Sequence, residues 1–250
     1  MKKIYKFLDL TKYAINHYFL LHILLIGENM DEKLQKAYYI ILGILILLFF
    51  TKDIDLNKDK FYKHIKLVEQ PDDILVLVNK NNQLQSNYVP NDLESISLRF
   101  ANADKYMRKE AKENFEKLSY EASLLGYRIV AVSAYRDYNY QQELFNYYVD
   151  NKGLDYALDC SAKPGHSEHQ TGLAVDIEGS NHDYDNFEKT QEFTWMKENA
   201  YKYGFILRYP KGKENITGFK YEPWHYRYVG RDIAEYIYKN KLTLEEYIQN

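Results

Sequence analysis

The chain has 250 residues, room for one domain of moderate size and an appendage. Its 33 Lys and Arg stand against 36 Asp and Glu, so no excess of one sign points to nucleic acid or another polyanion. The single cysteine, Cys160, excludes an intramolecular disulfide and a cysteine-rich metal site.

Ala37 to Thr51 is an uncharged apolar run between Lys36 and Lys52. It is shorter than the roughly 20 residues that span a bilayer. Snorkelling Lys33, Lys36 and Lys52, with Tyr38 and Tyr39 at the interface, extend its reach. The run is apolar on every face and a charged stretch follows it, so it reads as a membrane helix rather than a core helix. It starts too late for a cleaved signal peptide, and no small-residue cleavage site follows. Tyr13 to Gly27 is a second apolar stretch, an interfacial helix or another span. Lysines on both sides leave the orientation undetermined. The organisation expected is a membrane-anchor region over 1–52, a linker over 53–70 and one catalytic domain over 71–250.

Within that domain, Asp73 to Asn79 is a β-branched run expected to form a strand, with a turn at Asn81-Asn82. From Ala103 to Leu125, apolar residues at Met107, Ala111, Phe115, Leu118, Ala122 and Leu125 recur at helical spacing, with Gly126 placed to end the helix. Tyr127 to Ser133 predicts a strand, and Gln141 to Val149 a helix ended by Asn151-Lys152-Gly153. Leu173 to Ile177 is a short strand carrying Asp176 inward. Lys189 to Tyr203 is a helix stopped at Gly204. Phe205 to Arg208 and Tyr226 to Val229 are strands, and helices over Arg231 to Lys239 and Thr243 to Gln249 close the chain. Strands and helices do not alternate regularly, so the fold class is α+β: a small, largely antiparallel sheet with flanking helices, plus the N-terminal membrane helix.

The chemistry gathers around Ser161-Ala-Lys-Pro-Gly-His-Ser-Glu-His-Gln-Thr-Gly-Leu-Ala-Val-Asp176 and, downstream, Glu222-Pro-Trp-His225. Catalytic zinc takes three protein ligands and keeps a fourth position for water. His169, Asp176 and His225 can supply that set. Glu222, three residues before His225 across Pro223, is placed to act as base. His166 and His182 are rival ligands and Glu168 is a rival base. Cys160, just before the Pro164-Gly165 turn, reads as structural. Ser133 and Ser167 lie in no nucleophile elbow and no Ser-x-x-Lys motif, which argues against serine catalysis.

Ser167-x-His169-x-x-Gly172-x-Ala174-x-Asp176, followed by Glu222-x-Trp224-His225, resembles the zinc D-alanyl-D-alanine carboxypeptidases of the VanY type. Their relatives include D,D-dipeptidases and L,D-carboxypeptidases. Ser133-Ala-Tyr-Arg136 with Gln141 is similar to the family's other signature, and Leu77-Val-Asn-Lys80 and Tyr88-x-Pro90 extend the likeness over about Leu75 to Gly230. The resemblance implies a zinc D,D-peptidase or hedgehog-like fold, with zinc on His169, Asp176 and His225 and Glu222 as base. It implies Arg136 at the substrate carboxylate or the developing oxyanion, where the alternative is an ion pair with Asp137 or Asp176. Gln141 and Ser167 become candidate substrate contacts, and Tyr135 and Trp224 candidate pocket walls.

The activity implied is removal of the C-terminal D-alanine from peptidoglycan stem peptides. L,D-carboxypeptidase action on tetrapeptide stems is a close competitor. A non-catalytic wall-binding or sensor module is the alternative from another class, and the intact Glu222 argues against it. Such a substrate places the domain on the outer face of the cell membrane, held by a single-pass anchor.

Overall fold

A computed structural model describes residues 31–36, 39–41 and 61–249. The chain divides into two compact units, Met1–Lys58 and Asp59–Asn250. In the first, residues 32–36 and 39–41 are helical. Apart from residues 39–41, the Ala37–Thr51 anchor run lies outside the described residues, as does Tyr13–Gly27. Among the described residues, no helix is long and apolar enough to cross a membrane.

The second unit is built on a four-stranded sheet of β5 (Val130–Ser133), β6 (Ala174–Glu178), β7 (Phe205–Leu207) and β8 (His225–Tyr228). Its order is β5-β6-β8-β7 and every neighbouring pair is antiparallel. Two small pairs accompany it: β1 (Lys66–Leu67) with β2 (Asn82–Gln83), which is parallel, and β3 (Leu93–Ser95) with β4 (Tyr106–Arg108), which is antiparallel. The expected α+β class with a mainly antiparallel sheet is what the chain forms.

Helix α1 (Lys109–Leu124) buries Ala111, Phe115, Leu118 and Ala122, the stripe that a 3.6-residue period aligns. With Val175, Ile177, Phe205 and Tyr228 from the sheet, they form the main core. The helix starts later than its apolar pattern suggested because Met107, also buried, belongs to β4 and pairs with β3. Helix α2 (Tyr138–Lys152) opens where the Asp137 side chain accepts from the Tyr140 backbone N–H at 2.7 Å. It ends at Gly153, whose φ of 89° also turns the chain into α3 (Leu154–Cys160), a helix the sequence pattern did not announce. Helices α4 (Gln191–Asn199), α5 (Glu214–Thr217), α6 (Arg231–Asn240) and α7 (Leu244–Gln249) complete the unit.

Two expectations need correction. Asp73–Asn79 forms no strand, although Val76 and Val78 are buried. The segment opens in a turn, with the Val76 N–H bonded back to Asp73, and the Ile74 and Val76 carbonyls are taken by the Arg227 guanidinium, both at 2.8 Å, in place of a strand partner. The stretch read as linker packs on the domain from Phe61 onward. The Tyr62 hydroxyl accepts from the Lys163 N–H at 3.2 Å, and its backbone N–H donates to Asn81 at 2.9 Å.

Candidate active site

The sheet register assembles the site. Asp176 on β6 lies opposite His225 on β8 and beside Ser133 on β5, where a register shift interrupts the ladder. His169 comes from a 3-10 helix, Glu168–Thr171, which the Ser167 side chain caps. Gly172 then reverses the chain into β6 with φ +67°, and a Cβ there would stand 2.9 Å from Leu93 and 3.3 Å from the Arg108 nitrogen. The glycine is therefore required twice, for its backbone angle and for the close approach.

His169, Asp176 and His225 each offer one ligating atom, and these atoms lie within 4.8 Å of one another. His169 Nε2 is 3.2 Å from Asp176 Oδ2, and His225 Nδ1 is 2.9 Å from Asp176 Oδ1. His169 Nε2 and Asp176 Oδ1 are buried yet complete no hydrogen bond. Two imidazole nitrogens and a carboxylate aimed at one point, with polar atoms left over, suit a zinc ion with an open fourth position. The rival ligands are disposed of elsewhere. His166 is buried, with Nδ1 2.9 Å from the Asn79 carbonyl, and His182 sits 2.8 Å from Glu178.

The electrostatics fit this reading. Burial, then the positive Arg136, lowers His169 to about 4, so its ring stays neutral and free to ligate. Burial opposes charge on His225, but Asp176 and Glu168 outweigh it and raise the ring to about 9. Positive charge is thus favoured at this point. Glu222 Oε2 is 3.6 Å from His225 Nδ1. Burial raises Glu222, and Asp176 adds to this against the pull of His225, to about 7. A carboxylate held there is matched to moving protons near neutral pH.

These groups line a cleft of about 670 Å³ walled by Tyr135, Tyr148, Tyr209, Phe219 and Trp224. Arg136 lines it as well. Its Nη1 is 3.9 Å from Asp176 Oδ2 and 3.4 Å from the Ser133 hydroxyl, while its buried Nε completes no hydrogen bond. That loose pairing leaves guanidinium donors for a ligand. Ser167 lines the cleft too, though its hydroxyl also caps His169. Gln141 does not line it. Its Nε2 donates to Ser161 (3.2 Å) and the Ala162 carbonyl (2.7 Å), which steadies the wall from behind, while its Oε1 is buried and completes no hydrogen bond. Cys160 lines the wall with its thiol raised by burial, consistent with a structural cysteine and no nucleophile.

Glu168 is not a base. It is 1% exposed and its Oε1 accepts from Arg208 Nε at 2.7 Å and Arg227 Nη1 at 2.9 Å. Burial opposes its charge, but the two guanidiniums outweigh this and hold it well below the usual carboxylate range. No local pattern announces this network, because its members lie far apart along the chain.

Comparison with known proteins agrees with this geometry. The VanY: D-alanyl-D-alanine carboxypeptidase family model matches residues 104–231. The putative carboxypeptidase YodJ of Bacillus subtilis (strain 168) is 44% identical over 200 residues, 77% of this chain and 73% of that protein. A solved structure of the LdcB LD-carboxypeptidase superposes with TM-score 0.70 at 44% identity, covering 75% of this chain and 91% of that one. A vancomycin-resistance D,D-pentapeptidase VanY in complex with Zn(II) superposes with TM-score 0.61 at 36% identity, covering 70% and 98%.

Proposed function

Because the chain belongs to the VanY family of D-alanyl-D-alanine carboxypeptidases and is a zinc metallopeptidase, we propose that it releases the C-terminal D-alanine from peptidoglycan stem peptides. The observation that carries this is the convergence of His169, Asp176 and His225 within 4.8 Å, with Glu222 alongside.

A zinc ion held by these three residues supplies Lewis acidity and lowers the pKa of water at the site. Glu222 takes the proton of the attacking water and later returns it to the leaving amine. Arg136 faces the cleft with unspent donors, so its planar fork holds the terminal carboxylate or the oxyanion of the tetrahedral stage. The aromatic walls shield the scissile bond from bulk water, and Gln141 keeps the Ser161-Ala162 wall in place.

The D-alanine can leave a pentapeptide, a D,D cut, or a tetrapeptide, an L,D cut. The family model favours the first. The likeness to LdcB, higher in identity and TM-score than that to the zinc-bound VanY, favours the second. Incubating the purified full-length protein with defined penta-, tetra- and tripeptide stems, with and without a chelator, separates the cases. D-alanine from the pentapeptide alone supports D,D action, and from the tetrapeptide alone L,D action. No release from any stem with zinc present favours a wall-binding module. Such substrates lie outside the cytoplasmic membrane, so we also place the domain on the outer face of the cell envelope, tethered by Ala37–Thr51. Protease shaving of intact cells should release the domain; complete protection would count against that placement.

A further inference from the structure

His169 and His225 turn different ring nitrogens toward the metal position, and each choice has a visible cause or a missing one. His169 offers Nε2 because its Nδ1 is held by the Ala134 carbonyl at 2.5 Å. His225 offers Nδ1, the nitrogen near Asp176 and Glu222. Its Nε2 is buried and completes no hydrogen bond, and the same is true of Glu168 Oε2, 3.7 Å away. Two otherwise unpartnered polar atoms, an imidazole nitrogen and a carboxylate oxygen, therefore face each other in the interior.

The asymmetry of Glu168 is informative. Both guanidinium contacts fall on Oε1, which leaves Oε2 to the imidazole. The guanidiniums are themselves fixed. Arg208 spends its other nitrogens on Glu245 at 2.8 and 2.6 Å, and Arg227 spends its own on the Tyr228, Ile74 and Val76 carbonyls. Glu168 and Glu245 balance Arg208 and Arg227, so the cluster carries no net charge and the ionised Glu168 is held in place.

We propose that Glu168 is the positioning residue for His225: its Oε2 accepts the Nε2 proton, which leaves the Nδ1 lone pair free for zinc. A carboxylate behind a ligating histidine fixes the tautomer and raises ligand basicity. Closing the 3.7 Å separation into hydrogen-bond range takes a movement of about 0.5–1 Å, which small side-chain rotations supply. One short 3-10 helix thus prepares both imidazoles, His169 directly and His225 through its neighbour Glu168. The proposal rests on the zinc reading above, and its test keeps the two apart.

Glu168→Gln preserves shape and still offers a carbonyl oxygen to both arginines, but it turns an amide donor toward His225 Nε2. The expected result, in the full-length protein titrated with zinc against a competing chelator, is a loss of zinc affinity of about 10- to 100-fold. In the zinc-loaded wild type, nitrogen-edited NMR should show a slowly exchanging His225 Nε2–H, absent from the variant. A folded Glu168→Gln protein that binds zinc within twofold of wild type overturns the proposal while the zinc reading stands. If the variant does not fold, the wild-type signal decides, and a rapidly exchanging or missing Nε2–H overturns the proposal. A wild type that takes up no zinc sinks the zinc reading and this inference with it.

Discussion

Two buried polar clusters meet at His225 and are finished differently. Behind the ring, Glu168, Glu245, Arg208 and Arg227 balance in charge, joined by contacts of 2.6–2.9 Å. In front, His169 Nε2, Asp176 Oδ1 and Arg136 Nε complete no hydrogen bonds, and Glu222 is held near a pKa of 7. Leaving buried polar atoms unpaired is costly, and those in front belong to residues that line the cleft, where a ligand can complete them. The rear cluster balances its charge among its own side chains, and the front one leaves polar atoms open toward the cleft.

The contrast can be broken or sharpened by substitution. The largest effect is expected from Glu222→Gln, which should lower turnover about 10²- to 10⁴-fold with bound zinc unchanged by metal analysis. Undiminished activity would remove Glu222 from the mechanism. Next comes the rear cluster. Arg208→Met leaves two buried carboxylates short of a partner and should cost about 3–5 kcal/mol in denaturant unfolding. Asp176→Asn in the front cluster should change the stability of the metal-free protein by no more than about 1 kcal/mol. Equal costs would erase the distinction between the clusters.

Arg136→Lys keeps the charge but loses the planar fork, and kcat/KM should fall about 10²-fold. A change under about threefold would assign Arg136 to structure instead. The smallest effect is a pH dependence. Glu222, raised to about 7 in the metal-free protein, cannot accept a proton once protonated, so kcat/KM should show an acid limb below that pH. A bound cation shifts that limb to lower pH, and it should vanish from the residual rate of Glu222→Gln.

Much of the site was legible before folding. Ser167, His169 and Gly172 lie close enough that local turn chemistry orders them ahead of the strand bearing Asp176, and Glu222 and His225 share one turn. The α1 stripe was legible for the same reason, since helical spacing is local. That the Gln141 Nε2 is engaged by Ser161 and Ala162, behind the cleft wall, was not legible, because those partners lie about 20 residues onward. Asp73–Asn79 was misread as a strand because its carbonyls are met by Arg227, about 150 residues onward. Glu168 was weighed as a base because a carboxylate beside a ligand looks catalytic until its guanidinium partners are seen.

By itself the sequence determined the ligand types, their order and the helical faces, because these follow from side-chain chemistry and from periodicities spanning a few residues. Tertiary structure alone decided which nitrogen each imidazole presents, that Asp176 stands opposite His225, and that Glu168 is locked between two arginines. Strand register and buried charge pairing depend on residues distant in sequence, so no local pattern carries them.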